Sequence, residues 1–466
     1  MVLSILLSTP CIYLMNKNGL NTGLLITGII TGAFLMFLSI YNFKAGIYII
    51  TLLGFCIFTL SRLIYQDVPW GTFIEILIFI STIGMFVSFK IKNIVLGPLF
   101  KSPIFILLTI YIIYIAASIV NPAMNSKLGW IGDFKRQLAL YCYFLLIFIG
   151  LKGYKEQVQF GKILMILLII SAIYGCFQQF FGFAEFEMNY ITRSEARRKL
   201  LFMIGGVKRK FSLFSDPSSL GISMAATASI LFSFIAANKF SKKTIYISIT
   251  LVICLMTLAF SGTRTAYLAF IGGAGFYFLL TINKKATRVL GIVLAIGLGF
   301  IMIAPIYSNP TINRIRSAFD FDDEASLNVR DVNRKSIQPY MLTHPFGGGL
   351  GTTGGSGTKY NPGHPLAGFA TDSGFLQTSA ELGWLALLLL LLQYYVIIRT
   401  GLAIYFTEIN RNIKILIAAS LVCVFTFVIS QYAQVAVGQF PDSFLFMGAV
   451  AIIAKNSINI SQNKPI

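Results

Sequence analysis

SLNVRDVNRKSIQPYMLTHPFGGGLGTTGGSGTKYNPGHPLAGFATDSGFLQTSAELGW, from Ser326 to Trp384, is the longest polar segment of a chain whose remainder is mostly apolar runs of spanning length. It holds both histidines, His344 and His364. It also holds the pair Arg330 and Arg334, a glycine-dense turn from Gly347 to Gly357, and Asp372 at the threshold of the next apolar run. So apolar a chain keeps a segment this polar only where it has a use for it. The surrounding runs then read as the scaffold that holds the segment over a bilayer.

Composition supports that reading. Of 466 residues, 56% are hydrophobic and 12% charged, and the mean hydropathy is +0.78. Soluble domains carry about 25% charged residues. Apolar runs of about 18 to 22 residues recur, whereas the short alternating segments of a β-barrel do not. The expected fold class is therefore all-α, a polytopic transmembrane helical bundle of about 12 to 14 spans with one large extracytoplasmic loop. A net charge of +20 and a pI of 9.7 would suit nucleic acid. Much of that charge, however, lies in short connections between spans, where cytoplasmic retention requires it, so no nucleic-acid partner is expected. The six cysteines sit inside apolar runs without metal spacing and read as packing residues. No metal or other cofactor is expected. Val2 to Met15 reads as a retained span rather than a cleaved signal peptide.

Spans are expected near 2–16, 22–41, 45–65, 72–89, 103–120, 134–151, 158–181, 218–237, 244–260, 263–281, 288–307, 375–398, 413–432 and 438–454. The organisation is then N-terminal spans over 1–181, a basic extracytoplasmic loop over 182–217, central spans over 218–307, a large catalytic loop over 308–374 and C-terminal spans over 375–466. Lys90, Lys92, Lys101, Lys152, Lys155, Lys239, Lys242, Lys243, Lys284, Lys285, Arg288, Arg399, Arg411 and Lys414 all fall on one side, which the positive-inside rule assigns to the cytoplasm. The Ser326–Trp384 segment then faces the other way.

Residues Phe183 to Pro217 oppose that charge signal. They carry Arg193, Arg197, Arg198, Lys199, Lys208, Arg209 and Lys210 on the outer face. Anion binding accounts for them, and so does a solvated helix or contact with lipid headgroups. Arg264, Arg314, Arg316, Arg330 and Arg334 belong to the same face. Arginine presents a planar, permanently charged fork that matches phosphate oxygens bidentately, which suits a lipid-linked diphosphate at that depth. Arg330 and Arg334 are one helical turn apart. The bland alternative pairs them with Asp322, Asp323 or Asp331.

Histidine takes a proton from a hydroxyl near neutral pH, so His344 and His364 are candidate bases as well as candidate loop scaffolding. Asp372 is either an N-cap or a carboxylate that accepts a proton from an attacking sugar hydroxyl. The glycines after Pro345 permit positive φ and close backbone approach to a ligand. Asp442 reads as a structural polar outlier.

Three motifs resemble the O-antigen ligase and polymerase superfamily, the Wzy/WaaL-type membrane glycosyltransferases. They are RKFSLFSDPSSLG (Arg209–Gly221), SGTRTAYLA (Ser261–Ala269) and NVRDVNRKSIQPYMLTHPFGGGLG followed by TDSGFLQTSAELGW. The resemblance covers about residues 200–400. It implies an undecaprenyl-diphosphate-linked glycan donor, a hydroxyl acceptor, no nucleotide sugar and no required metal, at the outer face of a bacterial inner membrane. By it, Arg209 and Arg330 bind the diphosphate with help from Arg264, and Arg334 and Arg198 extend the set. Ligases of lipid A core typically show His-Asn where this chain has Asp372 and Ser373. That departure favours a repeat-unit polymerase for O-antigen, capsule or exopolysaccharide over a ligase. The acceptor is then a second lipid-linked glycan, membrane lipids surround the site, and a chain-length regulator is a conceivable partner. A flippase would instead place charge along its spans, where only Arg62 and Glu75 stand out.

Overall fold

The computed structural model describes residues 20–63, 70–92, 97–193, 195, 201–204, 207–239, 241–319 and 325–462; for residues 325–331, Arg330 among them, it describes the backbone alone. Among the described residues there are 17 α-helices and one two-stranded antiparallel ribbon, β1 (Met203–Ile204) with β2 (Val207–Lys208). The chain is an all-α, multi-pass membrane protein. The expected span at 2–16 lies outside the described residues.

Each of the other expected spans has its helix. They are α1 (Leu20–Tyr41), α2 (Phe43–Leu63), α3 (Trp70–Lys92), α4 (Pro103–Ala117), α5 (Lys127–Gly150) and α6 (Tyr154–Phe180). After the short α7 (Glu185–Thr192) come α8 (Pro217–Ala237), α9 (Lys242–Ser261), α10 (Arg264–Leu280) and α11 (Lys285–Ile303). The loop helices α12 (Pro310–Arg316), α13 (Ala325–Thr343) and α14 (Gly354–Tyr360) follow, then α15 (Gly374–Thr407), α16 (Arg411–Gln431) and α17 (Asp442–Gln462). Nine of the described helices are long and apolar enough to cross a bilayer.

Local chemistry sets the boundaries. Asp216 caps α8, its carboxylate accepting the Ser218 and Ser219 amides at 2.8 and 3.1 Å, with Pro217 at the first helical position. Gly262 ends α9 at φ 61°. Arg399 does not end α15; the helix runs on to Thr407, because the Tyr394–Gly401 stretch offers no breaker before Glu408.

The bundle is built around α8, of which 83% of the spanning window is buried. Its small residues let neighbours approach closely: a Cβ on Gly273 of α10 would run into Ser229 of α8 and Thr426 of α16. α11 lies at the opposite extreme, on the periphery, with 6% of its window buried.

Glu75 and Arg62, the in-span charges that stand out in the sequence, both have partners. Glu75 on α3 meets Lys135 on α5 at 2.8 Å. Arg62 at the end of α2 donates to the Ser212 (2.8 Å) and Phe214 carbonyls and lies 4.1 Å from the Phe211 ring centroid. It thereby clamps the turn that leads into Asp216. At the other end of the bundle, Lys44 pairs with Glu156 at 2.6 Å and Arg411 donates to the Ala237 carbonyl at 2.7 Å. The basic connections thus gather at the end remote from the long polar segment.

Candidate functional site

The polar segment is fastened to α15 through a break in that helix. Gly383 sits at φ 80°, ψ −176°, a region open essentially to glycine alone. The break frees carbonyls that a continuous helix would use. Gly348 N donates to Ala380 O at 2.8 Å, Gly349 N to Glu381 O at 2.8 Å, and Tyr114 Oη to Leu382 O at 2.7 Å. Trp384 N returns a bond to Pro345 O at 3.0 Å. The glycines of HPFGGGLG do permit close approach, but the partner they approach is the broken helix. Carbonyls left bare in a membrane-embedded bundle are costly, and the turn supplies their donors.

α13 lies against this assembly through Ile337 and Met341, which pack on Leu366 and Ala380. On it, Tyr340 stacks on His344 with centroids 4.0 Å apart and reaches His364 Nε2 at 3.5 Å. The two imidazoles are not equivalent. His344 Nδ1 faces the Tyr340 carbonyl at 3.0 Å, so it carries the proton and the lone pair is on Nε2. His364 Nδ1 accepts the Leu366 amide at 3.1 Å, so in the neutral ring the proton is on Nε2. Burial, reinforced by His344, holds the His364 pKa below its ordinary value.

One face turn earlier on α13, Asn333 Nδ2 approaches Asp372 Oδ2 at 3.4 Å. Asp372 is not the cap of α15; Ser373 is, accepting the Leu376 amide at 3.4 Å. That leaves the Asp372 carboxylate on the half-buried surface between α13 and α15. Arg334 is laid over the Tyr432 ring at 4.4 Å and donates to its hydroxyl at 2.9 Å. Helical register places position 330 on the same face as Asn333 and Ile337. Arg198 lies outside the described residues.

Arg209 is elsewhere, under the ribbon. Its Nε donates to Ser261 O at 2.8 Å, Nη1 to Leu201 O at 3.1 Å, and Nη2 to Thr263 Oγ1 at 2.7 Å and Ser218 Oγ at 3.5 Å. Four of its five N–H groups are directed at the protein, so at most one remains for a ligand. Burial draws its pKa below the usual arginine value, with Asp216 opposing. Arg209 thus ties the starts of α8 and α10 to the end of α9. Arg314 of α12 donates to the Gly262 carbonyl at 3.1 Å, and Arg264 opens α10 beside them. Arg209, Arg314, Asn313 and Thr311 line a pocket of about 280 Å³.

Ala259 lines this pocket and also an apolar groove of about 650 Å³ between α9, α10 and α11. Tyr267, Phe270, Gly275, Phe278, Ile292 and Leu298 are among its walls. A cationic pocket and an apolar groove therefore meet at Ala259. Arg314 belongs with Arg209 and Arg264 in the sequence, and the fold places it with Arg209 on the wall of one pocket. Tyr432 lies outside every quoted motif, and Asn333 and Tyr340 lie inside the third without a residue-type signal that singles them out.

Asp442, buried at the start of α17, accepts the hydroxyls of Ser219 and Ser223 and holds α17 to α8, a structural role.

Residues 249–391, from α9 into α15, match the family model described as O-antigen ligase. A comparison with curated proteins gives no match. The matched region takes in the SGTR start of α10, Arg314, the Tyr340–His364–Asp372 cluster and the Gly383 break, and leaves Arg209 outside. Over residues 249–391, this membrane protein is similar to the O-antigen ligase family.

Proposed function

We propose that the chain polymerises lipid-linked oligosaccharide repeats, using a polyprenyl-diphosphate-linked glycan as donor and a second such glycan as acceptor. The observation that carries this is a cationic pocket beside an apolar groove, the two sharing Ala259 as a wall. A diphosphate on Arg314 and Arg264, with one N–H from Arg209, would leave its isoprenoid chain in the groove beside α11. The end bearing α12 to α14 faces the periplasm or exterior in this reading.

The transfer is an inverting displacement. The acceptor hydroxyl oxygen bonds to the anomeric carbon, the bond from that carbon to the phosphate oxygen breaks, and polyprenyl diphosphate leaves with the electron pair. The acceptor proton passes to a base. Asp372 is assigned that role, since Ser373 relieves it of capping and Asn333 orients it. Arginines stabilise the charge that grows on the diphosphate, and fixed donors of this kind are worth about 3–4 kcal/mol each. His364 has no free lone pair in the neutral ring and serves as scaffold; His344 Nε2 is the second candidate. No step calls on a metal.

The test is glycan laddering in cells lacking the chain, complemented at matched membrane levels. Wild type restores long ladders. Asp372→Asn and Arg330→Ala leave single repeats, a loss of about a hundredfold or more. Gly275→Phe, which fills the groove from a position with open space around it, does the same. Full ladders from Asp372→Asn would remove it as the base. Transfer seen only when lipid A core is supplied would make the chain a ligase. Movement of intact lipid-linked repeats with no new linkage would make it a transporter.

A further inference from the structure

A second cavity, distinct from the arginine pocket, sinks between α4, α5, α15, α16 and α17. It encloses about 350 Å³, at the low end of small-molecule sites, which run about 300–1,000 Å³. Its wall is unlike the rest of the bundle. Asp133, Arg136, Gln137, Gln377, Thr378 and Glu381 all line it, alongside Leu108, Ile112 and Phe144. Polar groups placed among membrane helices are costly and are retained where they have work to do.

Some of that polarity is structural. Glu381 is 3% exposed and accepts the Thr353 amide (3.3 Å) and hydroxyl, fixing one wall to the polar segment. Other groups are open. Arg136 and Asp133 approach no closer than 3.7 Å, and Gln137 and Gln377 make no side-chain hydrogen bond among the described residues. Carboxamides that both donate and accept, an Asp–Arg pair and flanking tyrosines (Tyr111, Tyr394) match the hydroxyls and the flat apolar face of a pyranose.

The cavity's position ties it to the reaction. Thr371, next to Asp372, lines one edge. Gln439 lines another, and its Oε1 accepts the Ser215 hydroxyl at 2.9 Å, beside the Asp216 turn that borders Arg209. The recess therefore has the neighbour of Asp372 on one edge and, on another, a residue bonded to the turn that precedes α8.

We propose that this recess is a glycan-binding site that seats a terminal sugar of the acceptor, with Gln137, Gln377 and Arg136 reading its hydroxyls. The assignment to the acceptor rests on the glycan-transfer reading above; the class of ligand, an uncharged sugar ring, rests on the recess itself.

The probe is the free repeat-unit oligosaccharide, released from lipid extracts of cells lacking the chain. It is titrated onto the full-length protein in nanodiscs and followed by saturation-transfer NMR. Wild type gives a sugar signal. Gln377→Trp, which fills the recess, abolishes it, and Gln137→Leu with Gln377→Leu weakens binding about tenfold. Folding is checked by the thermal stabilisation that undecaprenyl diphosphate alone confers, which all variants retain. In laddering assays the leucine variants raise the acceptor concentration needed for half-maximal transfer about tenfold while maximal transfer holds, a split that a general packing defect would not produce. No signal from wild type, or equal signals from wild type and Gln377→Trp, overturns the proposal. Oligosaccharide binding without any ladder formation by wild type would instead overturn the polymerase reading and leave the recess as a sugar site.

Discussion

Replacing Gly383 by alanine tests the join between the polar segment and the membrane bundle. Two costs add. An L-residue at φ 80°, ψ −176° is strained by about 1–3 kcal/mol. The new Cβ would also meet Pro345 O and Phe346 Cα, so the turn must withdraw. Withdrawal puts at risk the Gly348–Ala380, Gly349–Glu381 and Trp384–Pro345 bonds, each worth about 0.5–1.5 kcal/mol net. The sum is about 3–7 kcal/mol. The assay is equilibrium unfolding of the purified protein by SDS titration in mixed micelles, with Gly355→Ala as control. Gly355 has no heavy atom within 4 Å of a built Cβ, so that variant should unfold with wild type or slightly later. Glycan transfer should fall with Gly383→Ala as well, because the break orients the turn of α15 that carries Gln377 and Glu381. A Gly383→Ala protein within about 1 kcal/mol of wild type would refute the clamp, since even the lower estimate of backbone strain alone would then be missing.

Further outcomes follow from the arginines and the buried histidine. Arg209→Lys loses a four-pronged fan that a single ammonium cannot reproduce, so its melting temperature should drop by several degrees together with activity. Arg314→Ala should reduce donor use about tenfold or more while melting stays near wild type, read by differential scanning fluorimetry beside laddering. His364 resists protonation in the folded state more than in the unfolded chain. Its linkage is therefore silent above the ordinary imidazole pKa of 6.5. Below that value stability declines as the unfolded chain takes up the proton first. Melting from pH 7 down to pH 5 should fall further for wild type than for His364→Gln (values of about these pH units bracket the imidazole range); parallel curves would refute the assignment.

The bundle was legible because a bilayer imposes its length on every span. From 22–41 onward, each apolar run became a helix, and the Asp216–Pro217 and Ser261–Gly262 punctuation fell where α8 begins and α9 ends. The break at Gly383 was not legible. Leu382 and Trp384 continue the apolar run on either side, and glycine inside a membrane helix is usually a packing residue rather than a stop. The same opacity hid the choice of cap. Asp372 and Ser373 both suit an N-cap, and only the direction of the Leu376 amide separates them. The sugar-sized recess was not legible either, since its polar groups come from two stretches far apart in sequence, Asp133–Gln137 and Gln377–Glu381, and only packing brings them together. The arginines were visible as a population, whereas which carbonyls each of them holds, and that Arg209 and Arg314 share one pocket, is decided by packing.

The peripheral position of α11 bears on how such a protein meets its substrate. One wall of the apolar groove is a helix that the rest of the bundle hardly covers, so the groove borders the bilayer rather than water. A lipid occupant would arrive by lateral diffusion in two dimensions, already oriented with its headgroup at the right height. Encounter would then scale with the mole fraction of donor in the leaflet, not with any bulk concentration. Diluting the membrane with inert lipid should slow turnover even when total donor per volume is unchanged.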